Sequence, residues 1–273
     1  MAAPIGVFDS GYGGLTILKA LQKQLPQYDY IYLGDNARAP YGTRSFETVY
    51  EYTLEAVKWF FDQGCELVIL ACNTASAKAL RNIQQLDLPT LAPNKRVLGV
   101  IRPSSEVLGN YSVSKQVGIM GTTGTVQSES YLIEMAKFFP EVKVFQQACP
   151  MWVPIIENGE FDSEGADFFV KKYLDQLFSQ SKHIDAVLLA CTHYPLLEAK
   201  IKAYAPEGVK FISQGDIVAQ SLALYLENHP EIAQKCSKNG QISFFTTDNE
   251  QVFEQQGSLF FGQKIAAKHT DLA

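Results

Sequence analysis

Two stretches of this chain, centred on positions 72 and 191 and so 119 residues apart, carry one pattern. Leu67-Val68-Ile69-Leu70-Ala71-Cys72-Asn73-Thr74 and Ala186-Val187-Leu188-Leu189-Ala190-Cys191-Thr192-His193 are each an unbroken apolar run ending in Ala-Cys, then two polar residues, then helix-type sequence. A run that is apolar at every position suits a strand covered on both faces, as in the parallel sheets of α/β proteins. The separation far exceeds a solenoid period. It fits a chain built as two related α/β halves.

The rest of the sequence supports that architecture. Strand-type segments at 5–8, 30–33, 67–71, 97–101, 117–120, 143–146, 186–190, 209–212 and 242–245 alternate with helix-type segments such as 15–25, 46–62, 75–85 and 126–138. This alternation predicts α/β folding with mostly parallel sheets. A weaker second match pairs Asp9-Ser10-Gly11 with Gly121-Thr122-Thr123-Gly124, each after a strand. We therefore expect two similar α/β domains related by a pseudo-twofold, with the active site in the cleft between them. Residues 1–97 plus 210–273 form the first, discontinuous domain in this reading, and 98–209 the second.

Composition narrows the function. The chain has 273 residues, 47% hydrophobic and 19% charged, enough for a full core without staples. Its 23 Lys+Arg against 29 Asp+Glu give a net charge of −6 with no basic stripe, so a small ligand is expected and nucleic acid is not. No apolar stretch approaches the roughly 18 residues of a membrane span. Residues 1–6 lack the basic and apolar regions of a secretory leader. The five cysteines are odd in number and contain no CxxC, which points to reduced thiols in the cytoplasm. GxGxxG is incomplete at Gly11-Tyr12-Gly13-Gly14, no GxxxxGK[ST] occurs, and the four histidines form no HExxH. No metal is expected.

In an open α/β sheet, ligands bind beyond the carboxyl ends of the strands. Cys72 and Cys191 both fall there, at expected helix starts, where free N–H groups favour a thiolate. Two thiols facing one cleft suit proton transfer on both faces of a single carbon. Asp9, at the end of the first strand, could orient or deprotonate Cys72. His193 could serve Cys191 as base or donor, and Glu157 is a further candidate acid. Ser10, Asn73, Thr74, Thr192 and main-chain amides of the Gly-rich turns and of Tyr41-Gly42 are neutral donors suited to a carboxylate. Each of these taken alone also reads as capping or turn chemistry. Cys65, Cys149 and Cys236 lack the repeated context and read as structural. A solute-binding module with two α/β halves would leave the paired thiols unexplained. A cysteine hydrolase using Cys191 and His193 would leave Cys72 idle.

Cys72, Cys191 and most of their candidate partners lie in stretches that resemble the cofactor-independent aspartate/glutamate racemase family. The stretches run from Ile5 to Thr16, Tyr32 to Gly42 and Ala71 to Ser76, with Gly99-Val100-Ile101, Gly121-Thr122, Thr125 and Ala190 to Leu197. The Cys191-Thr192-His193-Tyr194-Pro195 stretch is similar to the glutamate-specific members rather than the aspartate-specific ones. The resemblance implies interconversion of L- and D-glutamate without pyridoxal phosphate or metal, supply of D-glutamate to peptidoglycan, and a cytoplasmic homodimer. It implies that Cys72 and Cys191 are the acid/base thiols, assisted by Asp9, His193 and Glu157. It places Ser10, Tyr41, Gly42, Asn73, Thr74, Thr125, Thr192 and His193 at substrate-contact positions. Racemisation of aspartate or another amino acid is the nearest alternative. Two departures from the family pattern stand out: an insertion at 91–95, and Ser213-Gln214-Gly215-Asp216 in place of an acidic-small motif.

Overall fold

Among the residues described by the computed structural model, 2–272, every strand pair of the two sheets is parallel. The first sheet holds β1 (Ile5–Asp9), β2 (Tyr30–Gly34), β3 (Leu67–Leu70), β4 (Arg96–Gly99), β9 (Ile242–Thr246) and β10 (Ala267–His269), in the order β10-β9-β2-β1-β3-β4. The second holds β5 (Gln116–Gly121), β6 (Lys143–Ala148), β7 (Ala186–Ala190) and β8 (Lys210–Ile212), in the order β6-β5-β7-β8. The duplication is visible in these orders. In both sheets the first strand of the unit lies between its second and third, and the fourth closes the edge. The chain thus reverses direction across the sheet at β1 and at β5, and such switch points open a crevice at the carboxyl ends.

The unbroken apolar runs are buried as their pattern requires. In β3, Leu67 and Ile69 face one core cluster while Val68 and Leu70 face another. In β7, Val187 and Leu189 join the first of these, and Ala186, Leu188 and Ala190 join a third cluster around β5. Helices cover both faces, as a parallel sheet demands. The helix Phe46–Asp62 starts at Ser45, whose hydroxyl accepts the Thr48 N–H at 3.1 Å, and buries Val49, Ala56, Val57 and Phe60.

Several boundaries differ from the sequence reading. The breaks at 97/98 and 209/210 move, because Arg96–Gly99 pairs with β3 in the first sheet and Lys210–Ile212 pairs with β7 in the second. Edge strands of three or four residues carry little pattern of their own, so pairing decides where they belong. β10 went unforeseen for the same reason. The helix expected at 75–85 begins at Asn73 and runs on in short segments to Leu91, with a π turn at Ile83–Asp87. Residues 92–95 then lead straight into β4. The helix expected at 126–138 is broken by Glu129, at φ 56°, into Thr123–Gln127 and Ser130–Phe138.

Trp152 anchors the second unit. It is fully buried, its ring meets Tyr194 edge-on at 4.7 Å, and its indole N–H donates to the Phe169 carbonyl at 3.3 Å. It opens the helix Trp152–Glu157, whose last residue is a candidate acid. Trp152→Ala is expected to cost about 3–5 kcal/mol of stability through the cavity it leaves. A urea titration of both chains would read this as a lowered midpoint.

Candidate active site

One cleft of about 630 Å³, mouth included, gathers most of the predicted residues. Its walls come from five strand ends, those of β1, β3, β5, β6 (followed by Cys149-Pro150) and β7, and the loops that follow them. Ser10 follows β1, Cys72-Asn73-Thr74 follow β3, Thr122-Thr123 follow β5, and Cys191-Thr192-His193 follow β7; the loop Pro40–Thr43 and the helix Trp152–Glu157 close the sides. Equivalent strands, β3 and β7, therefore bring Cys72 and Cys191 to one cavity, each 6% exposed.

The two thiols sit in different settings. Cys72 caps the helix Asn73–Lys78: its sulfur accepts the Ala75 N–H at 3.5 Å and lies 3.5 Å from the Ser10 hydroxyl. The helix start favours the thiolate, but burial opposes it, and so does the Asp9 carboxylate. Burial wins, and the Cys72 thiol is pushed up to about 12. Cys191 leads not into an α-helix but into a turn and the 3₁₀ segment Tyr194–Leu197. Its sulfur lies 3.9 Å from His193 Nδ1, and His193 Nε2 lies 2.9 Å from Glu157 Oε1. Burial pulls the imidazole's pKa down, but the hydrogen bonds with Cys191 and Glu157 outweigh it and raise the value to about 10. Held by both neighbours, the ring favours its protonated form, which suits the donor role of the two foreseen for it.

Asp9 does not line the cleft. It lies fully buried behind it, with Oδ1 accepting the Gly11 N–H at 3.0 Å and Oδ2 accepting the Thr192 hydroxyl at 3.3 Å. It reaches Cys72 through space rather than through a hydrogen bond, and burial raises its own pKa. The Asp9–Thr192 bond ties the switch-point loop of one sheet to the thiol loop of the other. Gly13 permits this approach: a Cβ there would stand 2.2 Å from Thr192 Oγ1 and 2.4 Å from His193 Nδ1.

Other expected contacts are redistributed. The Asn73 amide turns inward, donating to Gln214 Oε1 at 2.7 Å and accepting from the Tyr131 hydroxyl at 2.7 Å, so its side chain is committed elsewhere. Gln214, part of the departure from the family motif, also donates to Ser104 Oγ at 2.7 Å. Tyr41 sends its hydroxyl to the Asp35 carboxylate and offers the cleft its flank and main chain with Gly42. Thr125 is buried behind Thr122, 3.1 Å away, and Thr122 meets Thr74 Oγ1 at 2.9 Å across the two units. Thr122, Thr123, Cys149, Pro150 and Val153 line the wall without having been singled out for it. The positions after β5 and β6 were the available signal for Thr122 and Cys149. Cys149 was read as structural; it lines the wall, its buried thiol has a pKa raised well above the usual value, and its sulfur donates to the Gln147 carbonyl at 3.7 Å.

Among the described residues, no group of three His, Cys, Asp or Glu is placed to hold a metal, and no helix is long and apolar enough to cross a membrane.

Comparison with known proteins now decides the family. Residues 14–222 match the family model described as Asp/Glu/hydantoin racemase. The chain belongs to that family. It is 43% identical to a glutamate racemase of Ruegeria over 96% of this chain and 97% of that one. It is 40% identical to one from Geobacter metallireducens over 96% and 93%. The fold superposes on a glutamate racemase isoform from Bacillus anthracis with a TM-score of 0.89, at 34% identity over 99% of this chain and 98% of that one. A glutamate racemase from Francisella tularensis, solved with D-glutamate, gives 0.88 at 32% identity over 99% and 98%. The expected two-domain α/β architecture and membership of the racemase family are thereby established. The chain is an amino-acid racemase, an isomerase.

Proposed function

We propose that this enzyme interconverts L- and D-glutamate, with Cys72 and Cys191 as the two acid/base groups. The observation that carries the reading is the arrival of two thiols from equivalent strand ends at one cleft. In one direction a thiolate takes the Cα proton, so that a Cα–H bond breaks and an S–H bond forms. The opposite thiol gives its proton to the other face of Cα and becomes the thiolate. Nothing is oxidised or reduced, and the sulfurs re-equilibrate with water between turnovers.

Forming the Cys72 thiolate at pH 7 from a thiol at about 12 costs about 7 kcal/mol in the empty cleft. The substrate's ammonium, held between the sulfurs, offsets part of that cost by favouring the nearby negative charge. His193 supports the charge on Cys191 in the same way, with Glu157 fixing the ring. Ser10, Thr74, Thr192 and main-chain N–H groups serve the substrate carboxylates. The sulfurs, imidazole and hydroxyls suffice for both half-transfers, so the scheme calls on no cofactor. The reading extends to supply of D-glutamate for peptidoglycan, a cytoplasmic location and a homodimer, the last checked by sedimentation.

The test is proton NMR of L-glutamate with the enzyme in D2O, alongside polarimetry. Loss of the Cα proton signal together with decay of optical rotation is expected. An inert spectrum with folded, reduced protein overturns the substrate assignment, and a higher kcat/KM for aspartate would transfer it to aspartate.

A further inference from the structure

The cleft has an electrostatic gap. Glutamate brings two carboxylates and one ammonium, yet no Lys or Arg lines the cavity. The charged side chains on its walls, Glu157 and His193, pair with one another. Just outside the wall lies Lys78, 8% exposed, one turn beyond Thr74 on the same face of the helix Asn73–Lys78.

Its ammonium donates to the Arg44 carbonyl at 2.6 Å, at the end of the loop that presents Tyr41, Gly42 and Thr43 to the cleft. The same loop is tied to the second unit, where the Gly124 N–H donates to the Gly42 carbonyl at 2.8 Å. A Cβ on Gly124 would stand 3.0 Å from that carbonyl and 3.1 Å from Lys78 Nζ. The lysine is therefore wedged where the loop, the Thr74 helix and the second unit meet. Burial lowers its pKa, and the acid acting against this is Glu47, exposed on the preceding helix Phe46–Asp62. A buried ammonium on one carbonyl is costly, and an apolar side chain would fill the space without that cost.

We infer that Lys78 is a positioning residue for substrate: it pins the Tyr41–Arg44 loop against the second unit and supplies the positive potential for a carboxylate that the cleft lining lacks. The inference deepens the proposed function and rests on an anionic amino acid being the substrate.

Steady-state kinetics of Lys78→Met and Lys78→Arg in both directions test it. Met keeps the apolar stem and removes the charge. It is expected to raise KM for glutamate about tenfold with kcat changed less than about threefold. Arg, which keeps the charge, is expected to recover most of that loss. Should the Met chain fail to fold, Lys78→Gln is the neutral variant for the same comparison. An unchanged KM, a loss confined to kcat, or an Arg variant no better than the neutral one overturns the inference. A wild-type enzyme inert towards glutamate overturns the proposed function instead.

Discussion

Cys72→Ser and Cys191→Ser are each expected to lower racemisation by about a thousandfold or more, within the range of a lost general acid or base. A serine hydroxyl holds its proton far more tightly than a thiol, so the half-transfer needing an anion at that position stops. The two variants should not fail identically. Each retains one thiol, so each can still take the proton from the enantiomer whose Cα–H faces that sulfur and return a solvent proton to the same face. In D2O, each variant is expected to wash out the Cα proton of one enantiomer without inverting it, and the two variants should choose opposite enantiomers. Chiral chromatography with mass spectrometry separates exchange from inversion. Full racemisation by either variant would eliminate the two-thiol mechanism.

His193→Asn is expected to lower kcat by about a hundredfold, because the charged donor beside Cys191 is lost. It should also change how stability depends on pH. The imidazole stands at about 10 in the fold against an ordinary 6.5, so the folded state holds this proton more tightly than the unfolded chain. The stability this contributes is complete below about pH 6.5 and is lost as pH rises through about 10. Urea midpoints measured across that window should fall more steeply for wild type than for His193→Asn. Parallel profiles would show that the imidazolium is not held by Cys191 and Glu157.

The pair of cleft thiols was legible because its signal is local. An unbroken apolar run followed by Ala-Cys and two polar residues defines a buried strand and what sits at its end, and finding it twice made a pair. Asp9, Ser10 and His193 were legible for the same reason, as residues next to strand ends. Where the fold gives an expected residue a further partner, that partner lies far along the chain. Asn73 lines the cleft, and its side-chain amide donates to Gln214, 141 residues away. Thr125 is buried beside Thr122, which lines the cleft, and Thr74 of the first unit lies 2.9 Å from Thr122 and 3.4 Å from Thr125.

By itself, then, the sequence determined the α/β class, the duplication, and the two thiols with their flanking polar residues. Periodicity and residue type act over one strand and the turn after it, and that range suffices for these features. Only the tertiary structure decided which sheet received β4 and β8. It also decided that burial rather than a helix start sets the Cys72 thiol, that Asp9 lies behind the wall, and that Lys78 lies beneath the loop at the cleft. Edge pairing, desolvation and the approach of the two units all depend on what packs across the fold, and no stretch of neighbouring residues encodes that alone.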